Sequence, residues 1–223
     1  MATATPPPIN IRLPSKYAGA SASSTKSGPA DTFTAPPLEW LHRTWSVTHS
    51  TLSMWRSARN VRITYTPLDA VPAKKKDDSS SSSSRSRSRI DDLVEYESAD
   101  GGGGVKSVAG IDTAAAAAGD SGAWDWRGRG WLFFVSSHWE VLAWGERPVA
   151  GETATERWVV TWFAPTLFTK EGLDIYCDRA EGASQQTVDE ILAALKTLDA
   201  PPLVDMCARD MRPVQISLPW KER

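Results

Sequence analysis

The chain has 223 residues, with 25 Lys and Arg against 27 Asp and Glu and a formal net charge of −2. That balance lacks the basic excess of a nucleic-acid binder, and no apolar run approaches the ~18 residues that span a bilayer. The N-terminal sequence carries no apolar signal core, and two cysteines, Cys177 and Cys207, fit free thiols in a reducing compartment, so a cytoplasmic setting is expected.

Residues 1–37 are rich in Pro, Ala, Ser and Thr without periodicity and read as a disordered tail. A single domain is expected over 38–220. Residues 38–41 form a short turn before the first strand, 44–50, where Trp45, Val47 and His49 share one face and Thr44, Ser46, Thr48 and Ser50 the other. Residues 51–58 break the alternation and bring Leu52, Met54 and Trp55 together, which suits a lid over an opening. The second strand, 60–66, alternates Val61, Ile63 and Tyr65 against Arg62, Thr64 and Thr66, and Pro67 ends it.

The stretch 72–89 runs through three lysines, two aspartates, six serines and alternating Arg and Ser, and reads as a solvated loop insertion. Strands at 92–98 and 105–112 follow, joined by a turn with Gly101 to Gly104. A second insertion occupies 113–122; its five alanines are too short to nucleate a helix alone. Strands are then predicted at 123–127, 131–136, 139–146, 157–164 and 173–178. In 139–146 two faces compete. His138, Glu140, Leu142 and Trp144 make one, and Trp139, Val141 and Ala143 the other, which is preferred as the inner face. Ser184 caps a helix carrying Val188, Ile191, Leu192, Leu195 and Leu198 at helical spacing, and Pro201-Pro202 ends it. Residues 205–220 have mixed character and add a last strand or wrap the surface.

Eight to ten short strands joined by local turns, then one helix, imply a mainly β, up-and-down antiparallel barrel with a C-terminal helix packed outside. Such a barrel holds one small ligand. Eleven tryptophans, seven of them between Trp124 and Trp162, fit either a Trp-rich core or an aromatic-lined cavity.

Trp45 on the first strand, the segment Leu173-Asp174-Ile175-Tyr176-Cys177-Asp178-Arg179 and the helix behind it together resemble the lipocalin pattern of the calycin group. In that family a first-strand Gly-x-Trp supplies a floor Trp, and an Arg ending the last strand packs on it. The resemblance therefore implies a structural contact between Trp45 and Arg179. Arg43 stands where the family has Gly. Fatty-acid-binding proteins put two helices between their first two strands, and the nine residues between Ser50 and Asn60 are too few for that.

The expected function is binding of a small hydrophobic or aromatic molecule in the barrel. Tyr65, Trp126, Phe133, Trp144, Trp158 and Trp162 are the candidate wall, His49 is the polar contact, and Met54 and Trp55 are the lid. An alternative is a cofactor-free enzyme, a decarboxylase, cyclase or isomerase, with His49 and Tyr65 as acid and base. No cofactor is implied: the glycines at 101–104 lack the following Lys-Ser/Thr of a phosphate loop, three dispersed histidines lack metal-ligand spacing, and there is no Gly-x-Ser-x-Gly.

Overall fold

The computed structural model describes residues 8–18, 33–72, 86–115 and 122–222. Eight strands follow one another: β1 (Thr44–Ser50), β2 (Ala58–Pro72), β3 (Ser86–Ser98), β4 (Lys106–Ala114), β5 (Ala123–Gly128), β6 (Ser136–Pro148), β7 (Thr155–Phe163) and β8 (Gly172–Cys177). Each pairs antiparallel with the next. β1 then pairs with β2 (Trp45 to Ile63) on one side and with β8 (Val47 to Tyr176) on the other, which closes the barrel. Closure removes the two edges that β1 and β8 would otherwise present to another chain. A two-residue strand β9 (Arg212–Pro213) adds to the end of β1.

Two apolar layers result. The inner one fills the barrel with Trp45, Val47, Val61, Ile63, Tyr65, Trp124, Trp139, Val159 and Tyr176. The outer one lies between the backs of β6, β7 and β8 and the C-terminal helices, and contains Trp158, Val160, Trp162, Leu173 and Ile175. Two helices cover that back. Helix α3 (Gln185–Leu195), the third of the described helices after the single turns α1 (Ser15–Ala18) and α2 (Leu38–Leu41), begins at Ser184, whose side chain accepts from the Thr187 N–H. It buries Val188, Ile191 and Leu195, each worth roughly 1.5–3 kcal/mol in area removed from water. Helix α4 (Pro201–Asp210) buries Leu203, Met206 and Cys207. Pro201-Pro202 ends one helix and opens the next, because a first-turn proline has no intrahelical N–H bond to lose.

Other expectations change. The strand predicted at 131–136 is a loop with a short 3₁₀ turn at Gly130–Leu132, so the barrel has eight strands. β2 passes through Pro67 to Pro72. Beyond Tyr65, whose N–H donates to the Arg43 carbonyl, its side towards β1 has no ladder partner among the described residues, so the missing N–H of Pro67 costs no pairing there. Residues 8–18 do not behave as tail: Ile11 joins the outer layer and the Arg12 N–H donates to the Leu142 carbonyl. Most of the two low-complexity insertions, on the β2–β3 and β4–β5 connections, lies outside the described residues, while residues 86–89 and 113–114 are strand.

Two bulges decide which side chains face the cavity. In β1, Val47 pairs with Tyr176 and His49 with Ile175, leaving Thr48 as an extra residue. In β6, Val141 pairs with Thr161 and Ala143 with Val160, leaving Leu142 extra. One inserted residue turns every later side chain to the opposite face. His49 and Ala143 therefore point outward, and Ser50 and Trp144 inward.

Candidate functional site

The β1–β2, β3–β4, β5–β6 and β7–β8 connections share one end of the barrel. The opposite end is plugged. There Trp45, fully buried, donates its indole N–H to the Leu41 carbonyl (2.9 Å), and Trp40 packs on both Trp45 (5.1 Å between rings) and Trp144 (4.9 Å). The cation over Trp45 is Arg43, 5.5 Å from the ring, and not Arg179. Arg179 lies two residues past the end of β8, where strand parity no longer aims it, and it pairs with Glu152 and Glu181. The Arg at the family's glycine position supplies the contact that the resemblance assigned to the end of β8.

Within the open half lies a cavity of about 160 Å³. Tyr65 stacks on Trp139 (5.7 Å, 5° between planes), and Trp139 on Trp124 (5.9 Å, 19°). Trp126 closes another side. Its ring lies across Gly110, where a Cβ would meet the indole nitrogen at 2.1 Å, so only glycine fits there. Over the mouth, the 3₁₀ turn Ser53–Ser57 lowers Trp55 against Tyr96 (5.3 Å), while Met54 stays on the rim. Two surface clefts are larger, about 300 and 260 Å³, but they lie outside the barrel.

The cavity wall also holds carboxylates. Asp92 from β3 and Asp174 from β8 line it, 7% and 4% exposed, and each has a buried Oδ1 without a hydrogen-bond partner among the described residues. Burial pushes both carboxyls up to about 7. The charge of Asp91 adds to this at Asp92, against a hydrogen bond from Trp126; Ser50, Arg56 and Tyr176 pull Asp174 back. Asp112 from β4, fully buried, accepts the Trp139 indole N–H at 2.7 Å and keeps Oδ2 unpartnered. Burial and the charge of Asp92 hold its carboxyl well above the usual range. The phenols of Tyr65 and Tyr176 are raised by burial and by these carboxylates, so both stay neutral.

The acids on the outside of the barrel are treated differently. Glu140 meets Arg12 (2.8 Å), the Ser15 N–H (2.9 Å) and His138; these outweigh its burial and bring its carboxyl down to about 2. Glu156 accepts from the Ser184 N–H (2.7 Å), the Ser184 hydroxyl and the Thr187 hydroxyl. Glu97 accepts from Arg59, Asn60 and the Lys221 N–H. Each outer acid fastens a crossing segment. The inner acids fasten nothing comparable.

The residues proposed from the sequence are therefore dispersed. Tyr65, Trp126 and Trp55 meet at the cavity. Trp144 faces inward but belongs to the floor, donating its indole N–H to the Thr34 carbonyl. Trp158 and Trp162 sit in the outer layer beneath the helices, because the β7 face that looks inward is Val159, Thr161 and Phe163. Phe133 is 64% exposed on the β5–β6 loop, beside Phe134. His49 is turned out by the Thr48 bulge, with Nδ1 buried and unpartnered. Burial lowers its pKa, against the charge of Asp189 on α3. It cannot reach Tyr65, so the His/Tyr acid–base pair does not exist. Asp92, Asp174 and Tyr176 were missed, although Asp92 shares its alternation with Val94 and Tyr96.

No family model matches this chain, and no curated protein matches it. Among solved structures it is similar to apocrustacyanin C2, with 10% identity over 79% of this chain and 78% of that one and a TM-score of 0.45. It is similar also to apocrustacyanin C1 (10%, 80% and 78%, 0.45) and to lobster apocrustacyanin A1 (10%, 80% and 78%, 0.44). The barrel's own topology gives its fold: eight strands in sequence order, closure of β8 on β1, a floor Trp on β1 and a helix behind β8 make a lipocalin-like up-and-down barrel. No described helix is long and apolar enough to cross a membrane.

Proposed function

We propose that the chain binds a small, largely aromatic molecule inside the open half of the barrel, against Tyr65, Trp126 and Trp139 and beneath Trp55. The observation that carries this is the cavity itself. It joins stacked rings to buried polar atoms with no hydrogen-bond partner among the described residues, and small-molecule sites combine an apolar wall with a few placed polar groups. A void of ~150 Å³ is enough for one benzene-sized ring. The two unpaired thiols, Cys177 and Cys207, support a cytosolic setting.

Titration with one-ring ligands, followed by tryptophan fluorescence, tests the reading. Saturable quenching that is lost in Tyr65→Ala and in Trp139→Ala, with the fold retained by circular dichroism, is expected. No response to any one-ring compound would reject it. A second reading, acid–base catalysis, is favoured by the burial of Asp92 and Asp174 in the cavity wall, which pushes their carboxyls up to about 7. It would transfer to these acids the role that the sequence suggested for His49, and it requires turnover of a bound ligand that Asp→Asn replacement abolishes while binding persists.

A further inference from the structure

We infer that the ligand of this cavity is an organic cation, a protonated amine on an aromatic body, held by Asp92 and Asp174. This rests on the binding function proposed above and specifies its chemistry. The argument starts from the contrast between the two faces of the barrel. Every buried outer acid named above collects two or more donors from the protein, and Glu140 and Glu97 each meet an arginine. The two acids that line the cavity each keep one buried carboxylate oxygen bare. A buried carboxylate without a counter-charge is expensive, and a cationic ligand would remove that cost.

Among the described residues, the surroundings of the two acids offer no substitute. Arg56 acts on Asp174 through its charge, but its Nη2 donates to the carbonyls of Ser50 and Asp210. Facing Asp92 are Tyr65 from β2, Asp112 from β4 and the Trp126 indole from β5, with Asp91 beside it on β3; none brings a positive charge. Ser50 from β1 and Tyr176 on β8 face Asp174. The rings of Tyr65, Trp126 and Trp139 favour a cation over their faces as well as an aromatic body between them. A bare metal ion is a poor candidate, since among the described residues no three His, Cys, Asp or Glu come together.

The test compares 2-phenylethylamine with its neutral isostere 2-phenylethanol, by fluorescence quenching and calorimetry. At pH 7.5 the amine should bind about tenfold tighter or better, as a charge-assisted contact implies. Its advantage should shrink at pH 5, where both acids are protonated, and amine binding at pH 7.5 should release protons to the buffer. Asp92→Asn and Asp174→Asn should each reduce the preference while 2-phenylethanol still binds, which shows that the cavity remains intact. Equal affinity for the two probes, or a preference unchanged in both variants, would overturn the inference and leave aromatic binding standing. Failure of both probes would overturn the inference together with the binding function.

Discussion

Replacement of Asp174 by Asn isolates the cost of an uncompensated acid inside the barrel. Asp174 is almost fully buried, with Oδ1 unpartnered, and its carboxyl is raised from 3.8 to about 7. Because the folded value exceeds the unfolded one, the native state holds this proton more tightly than the unfolded chain does. The resulting stability is complete below pH ~4 and is lost as the pH rises through 7. Three units at 1.36 kcal/mol each amount to about 4 kcal/mol, with water penetration reducing the figure. Asn keeps the shape and the acceptor oxygen for Ser50 and Tyr176 but does not ionise. Urea unfolding followed by tryptophan fluorescence at pH 4.5, 6, 7 and 8 should therefore give two stability curves that lie closest at pH 4.5 and separate as the pH rises. The variant should gain on the wild type by roughly 2–4 kcal/mol between pH 4.5 and 8. An offset that stays constant across this range would show that Asp174 ionises as freely in the fold as in the unfolded chain, and the account of the cavity as an empty cation site would lose its electrostatic basis.

Gly110→Ala drives a Cβ into the Trp126 indole, and should cost about 1–3 kcal/mol in urea unfolding and weaken quenching by one-ring ligands; full binding would show that Trp126 is not a wall. His49→Ala should leave the affinity for 2-phenylethanol unchanged, because the imidazole lies outside the barrel; a large loss in calorimetry would contradict the bulge at Thr48. Arg43→Ala removes both the cation over Trp45 and an ion pair with Asp178 and should cost about 1 kcal/mol, whereas Arg179→Ala, which breaks exposed pairs, should cost less. The reverse order in urea midpoints would restore Arg179 to the floor. Glu156→Ala orphans the first turn of α3 and should cost roughly 2–4 kcal/mol, with faster amide exchange in that helix as the direct readout.

The barrel was legible because its strands announce themselves by alternation, and β1 begins and ends where the sequence places it. Facing was not legible, for two reasons. Thr48 and Leu142 are ordinary strand residues, and nothing local marks them as bulges; register is set by β8 and β7, more than a dozen residues away in the chain. The second reason lies in β8, where every residue is buried. Leu173, Ile175 and Cys177 form the apolar face, yet α3 and α4 cover that face, and the inner one is Asp174 and Tyr176. A strand packed on both sides loses the contrast that parity arguments need. The same limit hides the site. Glu140 and Asp92 are each an acid within an alternating strand, and the sequence around them gives no ground for treating them differently. Glu140 is satisfied by Arg12 and Ser15, more than a hundred residues away, through a segment whose composition reads as tail. Asp92 receives no such segment among the described residues: residues 33–41, which do pack into the barrel, plug its opposite end. What separates a fastening from a binding group is therefore whether a distant part of the chain arrives to pair with it, and in this protein the acids left without that partner are the ones that line the cavity.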